Sequence, residues 1–137
     1  MSLDGLNDYR HQVMIARMTT LLNNHFEKKK YNKYIATPET VVERNKQKKV
    51  PDLLIWNYKK GLHHLPEVAI EVCRTNKTQE DIDKLTKLFV TVESLQEAFV
   101  FDFEENVGYR IYRKKDGKAS KARKNVVRSE VFKIDLI

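Results

Sequence analysis

A chain of 137 residues with 41% apolar and 33% charged side chains is long enough for one domain to bury a core, and no run nears the roughly 18 apolar residues of a membrane span. Its one cysteine, Cys73, excludes an internal disulfide and a zinc finger or ribbon. With no apolar signal core near the start, the expected setting is cytoplasmic and reducing. The net charge of +7 is uneven: residues 1–108 hold 16 basic and 16 acidic side chains, and residues 109–137 hold 10 and 3. A basic segment on a neutral body points to a polyanion, most often nucleic acid. A solvated, solubilising tail is the other reading of charge alone.

The chain opens with helical spacing. Met14, Met18, Leu21, Leu22 and His25, with Ile15 and Phe26 beside them, predict a helix from Asp8, as N-cap, to Lys29. Extended pieces around Tyr34-Ile35 and Val41-Val42 follow, broken at Pro38. Val50 to Trp56 and Val68 to Cys73 read as strands buried on both faces, with Lys59-Lys60-Gly61 as a turn between them. Ile82, Leu85, Phe89 and Val92 give a second helix an apolar stripe from Gln79 to Val92, with Thr78 as N-cap. Strands then run over Ala98–Phe103 and Tyr109–Arg113 around a turn at Glu104–Gly108. Asp116-Gly117 is another turn, Lys118–Lys124 an exposed basic loop, and Val126–Ile134 a last strand. The order is α-β-β-β-α-β-β with a closing β, and no linker divides the domain.

Two carboxylates interrupt apolar strands: Asp52 and Glu71. Burying a carboxylate costs several kcal/mol unless it is paired, protonated or metal-bound. A hard cation such as Mg²⁺, which takes carboxylate and carbonyl oxygens, accounts for both at once. The alternative for either is a strand end that reaches solvent or a lysine. Other polar residues carry less. Adjacent His63 and His64 point apart on a strand, and Glu39 and Glu43 sit by default on the surface. Asp81 and Asp83 suit a helix N-terminus. Trp56 reads as core, and Cys73 has no base to activate it.

Val50-Pro51-Asp52, followed 19 residues after the Asp by Glu71 in Ile70-Glu71-Val72-Cys73, resembles the PD-(D/E)XK nuclease superfamily. That core runs α-β-β-β-α-β. The nearer resemblance is to the Uma-two family of restriction-endonuclease-like proteins. It begins at His11-Gln12 and continues through Pro51-Asp52-Leu53-Leu54-Ile55, Glu71-Val72 and the Thr78, Asp81, Lys84 series. It ends with Ala98-Phe99-Val100-Phe101-Asp102, Ser129-Glu130-Val131 and Asp135-Leu136, covering Tyr9 to Leu136. The superfamily's strand lysine, two residues after the Glu on the same face, is here Cys73, as it is non-lysine in the nearer family.

The resemblance implies one restriction-endonuclease-like α/β domain over 1–137, a mixed sheet flanked by helices, ending in the basic segment 109–137. It implies metal-dependent hydrolysis of nucleic-acid phosphodiesters, with DNA as the expected substrate. Mg²⁺ or Mn²⁺ would be held by Asp52, Glu71 and the backbone carbonyl of Cys73. A helix lysine would replace the strand lysine, with Lys84 as first choice and Lys77 and Lys87 as alternatives, and His11 would lie near the site. Arg110, Arg113, Lys114, Lys115, Lys118, Lys121, Arg123, Lys124 and Arg128 could then follow a phosphate backbone, which positions nucleic acid without reading its sequence. No membrane partner is expected, and a homodimer would let two sites cut two strands. The competing reading is a non-catalytic nucleic-acid-binding module that kept the fold. The absent strand lysine favours it, and retention of both carboxylates opposes it. A protein-interaction subunit is a third reading, resting only on the neutral body.

Overall fold

A computed structural model describes residues 3–38, 51–60 and 66–137. Helix α1 (Leu3–Phe26) leads to strand β1 (Tyr34–Pro38), then β2 (Leu53–Asn57), β3 (Val68–Cys73), helix α2 (Thr78–Thr91), β4 (Glu97–Asp102), β5 (Val107–Tyr112) and the short β6 (Arg123–Lys124). These six strands form one sheet in the order β1-β2-β3-β4-β5-β6. The β3–β4 pair is parallel and every other pair antiparallel. A parallel pair needs a crossover, and α2 supplies it. The small hairpin of β7 (Arg128–Ser129) and β8 (Ile134–Asp135) stands apart from this sheet.

The two faces of the sheet carry separate cores because strand side chains alternate. Val68, Ile70 and Val72 of β3 join Leu53, Ile55, Phe99 and Phe101 beneath α1, which contributes Ile15, Met18, Leu22 and Phe26. Ala69 and Cys73 join Ala98, Val100 and Ile111 beneath α2, which contributes Leu85 and Phe89. Strands β3 and β4 are buried throughout. In β2 only alternate residues are buried, and Leu54 and Trp56 stay half-exposed. The expectation of two covered faces fails there because α2 packs on β3 and β4, leaving that side of β2 partly open.

Several boundaries differ from the sequence reading. Helix α1 begins at Leu3, so Asp8 lies within it and is not its cap. Leu21 faces outward, whereas Ile15, Met18, Leu22 and Phe26 repeat every three to four residues on the buried stripe. Thr78 is the first residue of α2 and not its N-cap; Lys77 holds that position without a side-chain capping bond. The closing strand expected over Val126–Ile134 is instead β7, a turn and β8, because Lys133 adopts a left-handed φ of 55° and breaks the extended run. The loop expected at Lys118–Lys124 folds back along β5: Ala119 bridges Arg113, and buried Ser120 bonds Tyr112 at both backbone groups. The readings at Glu39, Val41, Val42, Glu43, Val50, Gly61, His63 and His64 lie outside the described residues. Among the described residues, no helix is long and apolar enough to cross a membrane.

Candidate functional site

Antiparallel pairing sets Leu53 of β2 against Ile70 of β3. Extending that register by one residue sets Asp52 against Glu71. Asp52 lies just before β2, so its backbone N–H is released from the ladder and donates to Glu71 Oε1 at 2.7 Å. In return the Val72 N–H donates to Asp52 Oδ2 at 2.8 Å. Each carboxylate thus accepts a backbone hydrogen bond from the other's strand. The two acids that interrupt the apolar runs meet at one buried point.

Both helices reach this point. His11 of α1 places Nε2 3.1 Å from Asp52 Oδ2. Lys84 of α2 places Nζ 3.1 Å from Glu71 Oε2, and its side chain is 26% exposed. Asp81, one turn before Lys84, is half-buried and acts electrostatically on Asp52, Glu71 and Cys73. Read by itself Asp81 suits the helix dipole, while the resemblance groups it with Thr78 and Lys84; its spacing of three from Lys84 puts both on one helix face.

The electrostatics follow from burial. Desolvation, aided by the Asp52 charge and opposed by Lys84, pushes the Glu71 carboxyl up to about 7. The hydrogen bond to Asp52 raises His11 above its ordinary value, against desolvation. Desolvation also raises Asp81. Each group therefore binds its proton more tightly folded than unfolded, so the metal-free protein loses stability as pH climbs through these folded values. For Glu71 the window runs from 4.5 to about 7, on the order of 3 kcal/mol. Urea unfolding of the wild type and Glu71→Gln at pH 5 and pH 8 is the check. The wild type loses more stability between the two pH values than the variant does, and equal losses would contradict the burial account.

The other candidates separate. Lys77 is exposed and pairs with Glu80 at 3.3 Å, and Lys87 is exposed on α2. Cys73 is buried beneath α2 with Sγ 3.6 Å from Thr78 Oγ1, and burial pushes its thiol up to about 12. The Cys73 carbonyl accepts the Phe103 N–H at 3.0 Å, on the β4 side. Backbone groups of successive strand residues face opposite neighbours. The carbonyl on the Asp52 side is therefore that of Val72, whose N–H already bonds Asp52.

The basic segment divides in two. Arg110 donates to Glu97 at 2.7 Å and stacks 4.9 Å over Tyr112. Arg113 closes the end of α2, donating to the carbonyls of Phe89, Val92 and Leu95 at 2.9, 3.0 and 2.8 Å, and to that of Gly117. These two guanidiniums hold the fold together. Lys114, Lys115, Lys118, Lys121, Arg123, Lys124 and Arg128 are exposed; Lys114 lies 3.8 Å from Asp116, and Arg128 3.4 Å from Asp135. Lys124 shares a row of the sheet with Glu71, through Tyr109 and Val100. Partners in a row share a face, so Lys124 stands on Glu71's face three strands away, roughly 14 Å. Trp56 donates its indole N–H to Thr37 at 2.8 Å and serves the β1–β2 pairing.

As a cation site, the donor set is two hard carboxylates with a strand carbonyl beside them, and one carboxyl is strained by the other's charge. That chemistry suits Mg²⁺ or Mn²⁺. Three of the four carboxylate oxygens already hold hydrogen bonds. Among the described residues, no group of three or more His, Cys, Asp or Glu side chains could hold a metal ion.

No family model matches the chain, and no curated protein does. Among solved structures, the crystal structure of a putative nuclease belonging to DUF820 from Anabaena variabilis ATCC 29413 aligns with a TM-score of 0.63 at 12% identity. The alignment covers 93% of this chain and 78% of that one. The likeness is one of fold, and this chain's own fold is the mixed sheet flanked by helices that the resemblance implied.

Proposed function

We propose that this chain is a metal-dependent nuclease that hydrolyses phosphodiester bonds of DNA, of the PD-(D/E)XK and Uma-two type. One observation carries the reading: Asp52 and Glu71, from different strands, interlock at one buried point with a lysine from the following helix on Glu71. A pure binder gains nothing from two acids beside phosphate. The likeness in fold to a putative nuclease supports the reading but does not by itself give an activity.

Asp52 and Glu71 would hold the cation, with the Val72 carbonyl nearest on the Asp52 side. When bound, that ion lowers the pKa of its water and offsets charge on the phosphate. Lys84 opposes the burial that raises the Glu71 carboxyl and presents an ammonium to the reacting phosphate or water. His11 fixes the orientation of the Asp52 carboxylate from the α1 side. The exposed lysines of the β5–β6 region guide the backbone toward Glu71's face.

Calorimetric titration with Mn²⁺ tests the site. Asp52→Asn and Glu71→Gln both abolish binding while the fold persists, and wild-type binding at pH 6.5 releases protons because Glu71 must ionise. Unchanged binding in both variants would transfer support to the non-catalytic nucleic-acid-binding reading, which the absent strand lysine favours. The basic surface has its own test. Each phosphate contact adds about 0.7 to 0.9 to the slope of log affinity against log salt. Replacing Lys118, Lys121, Arg123 and Lys124 by Ala flattens that slope by up to about 3 to 4 units. An unchanged slope would leave these residues a solubilising role.

A further inference from the structure

A shallow pocket of about 180 Å³ opens on the α1 side of the site, lined by Tyr9, Arg10, Val13, Met14 and Phe103. Both its walls are tied to the carboxylate pair. Arg10 precedes His11, which touches Asp52. Phe103 bonds through its N–H to Cys73, two residues beyond Glu71. The Arg10 guanidinium lies 4.9 Å over the Phe103 ring and gives one N–H to the Phe103 carbonyl at 3.1 Å. Its other donors make no hydrogen bond among the described residues. Tyr9, which also lines the pocket, is 67% exposed. The Tyr9 ring and the remaining Arg10 donors are thus both open to solvent at one pocket.

This combination has a chemical match. An aromatic face takes the flat face of a base, and an adjacent guanidinium takes its phosphate. In a duplex the faces are stacked on neighbours and closed to such contact. We infer that this pocket is a subsite for one unpaired nucleobase of the substrate strand, stacked on Tyr9 with its phosphate on Arg10. The substrate class is then a single-stranded or frayed nucleic acid next to the carboxylates. The inference deepens the nuclease reading and rests on its nucleic-acid substrate, but not on hydrolysis.

The test compares a fluorescein-labelled 12-nucleotide oligothymidine with an abasic 12-mer of equal charge, by anisotropy in EDTA. The wild type binds the base-containing strand more tightly, by about 5- to 150-fold. Tyr9→Ala brings the two affinities together, and Tyr9→Phe keeps them apart. Tyr9 is too exposed for its loss to unfold the chain. Arg10→Ala weakens both strands and flattens the salt slope by about 0.7. Equal binding of the two strands by the wild type, or a preference that survives in Tyr9→Ala, would overturn the subsite even if cleavage is observed. Absence of binding to either strand would overturn the subsite and the nucleic-acid reading together. A Tyr9-dependent preference without any cleavage would support the subsite and count against the nuclease.

Discussion

Replacing Lys84 by Ala lowers the rate of DNA cleavage by at least about a hundredfold, the usual scale for one positioned electrostatic or proton-transfer group. Its ammonium sits 3.1 Å from Glu71 and is partly exposed, so it can face both the acid and a bound phosphate. A group that acts on charge developing in the transition state changes turnover more than binding, and DNA affinity stays near the parental value. The pH profile gives a second readout. Lys84 lowers the Glu71 pKa, so its loss raises that pKa further above about 7 and moves the acidic limb of the profile to higher pH. Lys87→Ala is mild, because Lys87 points to solvent. Cys73→Ser is nearly silent, because a thiol pushed to about 12 supplies no nucleophile at neutral pH. A parental rate in Lys84→Ala with an inactive Cys73→Ser would reverse the two roles.

The largest loss of stability is expected far from that site, at Glu97→Ala. Glu97 is 1% exposed and accepts four hydrogen bonds. Arg110 reaches it at 2.7 Å, Ser129 Oγ at 2.6 Å, the Glu130 N–H at 2.8 Å and the Val131 N–H at 3.2 Å. One carboxylate therefore fastens the β7–β8 hairpin to β4 and β5. Removing it leaves a largely buried guanidinium without its anion and three donors without an acceptor. Breaking a buried pair in this way costs about 3–5 kcal/mol. For a chain of this size that lowers Tm by roughly 10–20 °C. Thermal unfolding followed by circular dichroism measures it, and a shift of only a few degrees would contradict the clamp. The double variant Glu97→Leu/Arg110→Met recovers much of the loss, since replacing a buried pair by apolar groups is often close to neutral.

How much of this was legible beforehand depended on the range of the interaction. Strand β3 was readable from an apolar run broken only at Glu71, and α2 from Ile82, Leu85 and Phe89 at helical spacing. Asp52 and Glu71 stood out because a lone acid in such a run demands an explanation. Lys84 and His11 needed the resemblance, since nothing local distinguishes them from other polar helix residues. Glu97 and Arg110 could not be read as a pair. The acid opens a strand, the arginine lies 13 residues on, and the remaining partners lie 32 to 34 residues away. Arg113 looked like a phosphate ligand for the same reason: its carbonyl partners at and just beyond the end of α2 become neighbours only when the crossover packs. The C-terminal strand failed on backbone conformation, as composition alone did not mark Lys133 for a left-handed turn. Tyr9 and Arg10 gave no sequence signal, because their relation to Phe103 is made by the fold.

The central claim is that Asp52 and Glu71 form a hydrolytic metal centre. The direct measurement is incubation of the purified protein with end-labelled single- and double-stranded DNA in Mg²⁺, Mn²⁺ or EDTA, beside Asp52→Asn. Shortened products are expected with either metal, and none in EDTA or with the variant. Intact DNA under every condition, or equal cleavage by Asp52→Asn, would contradict it.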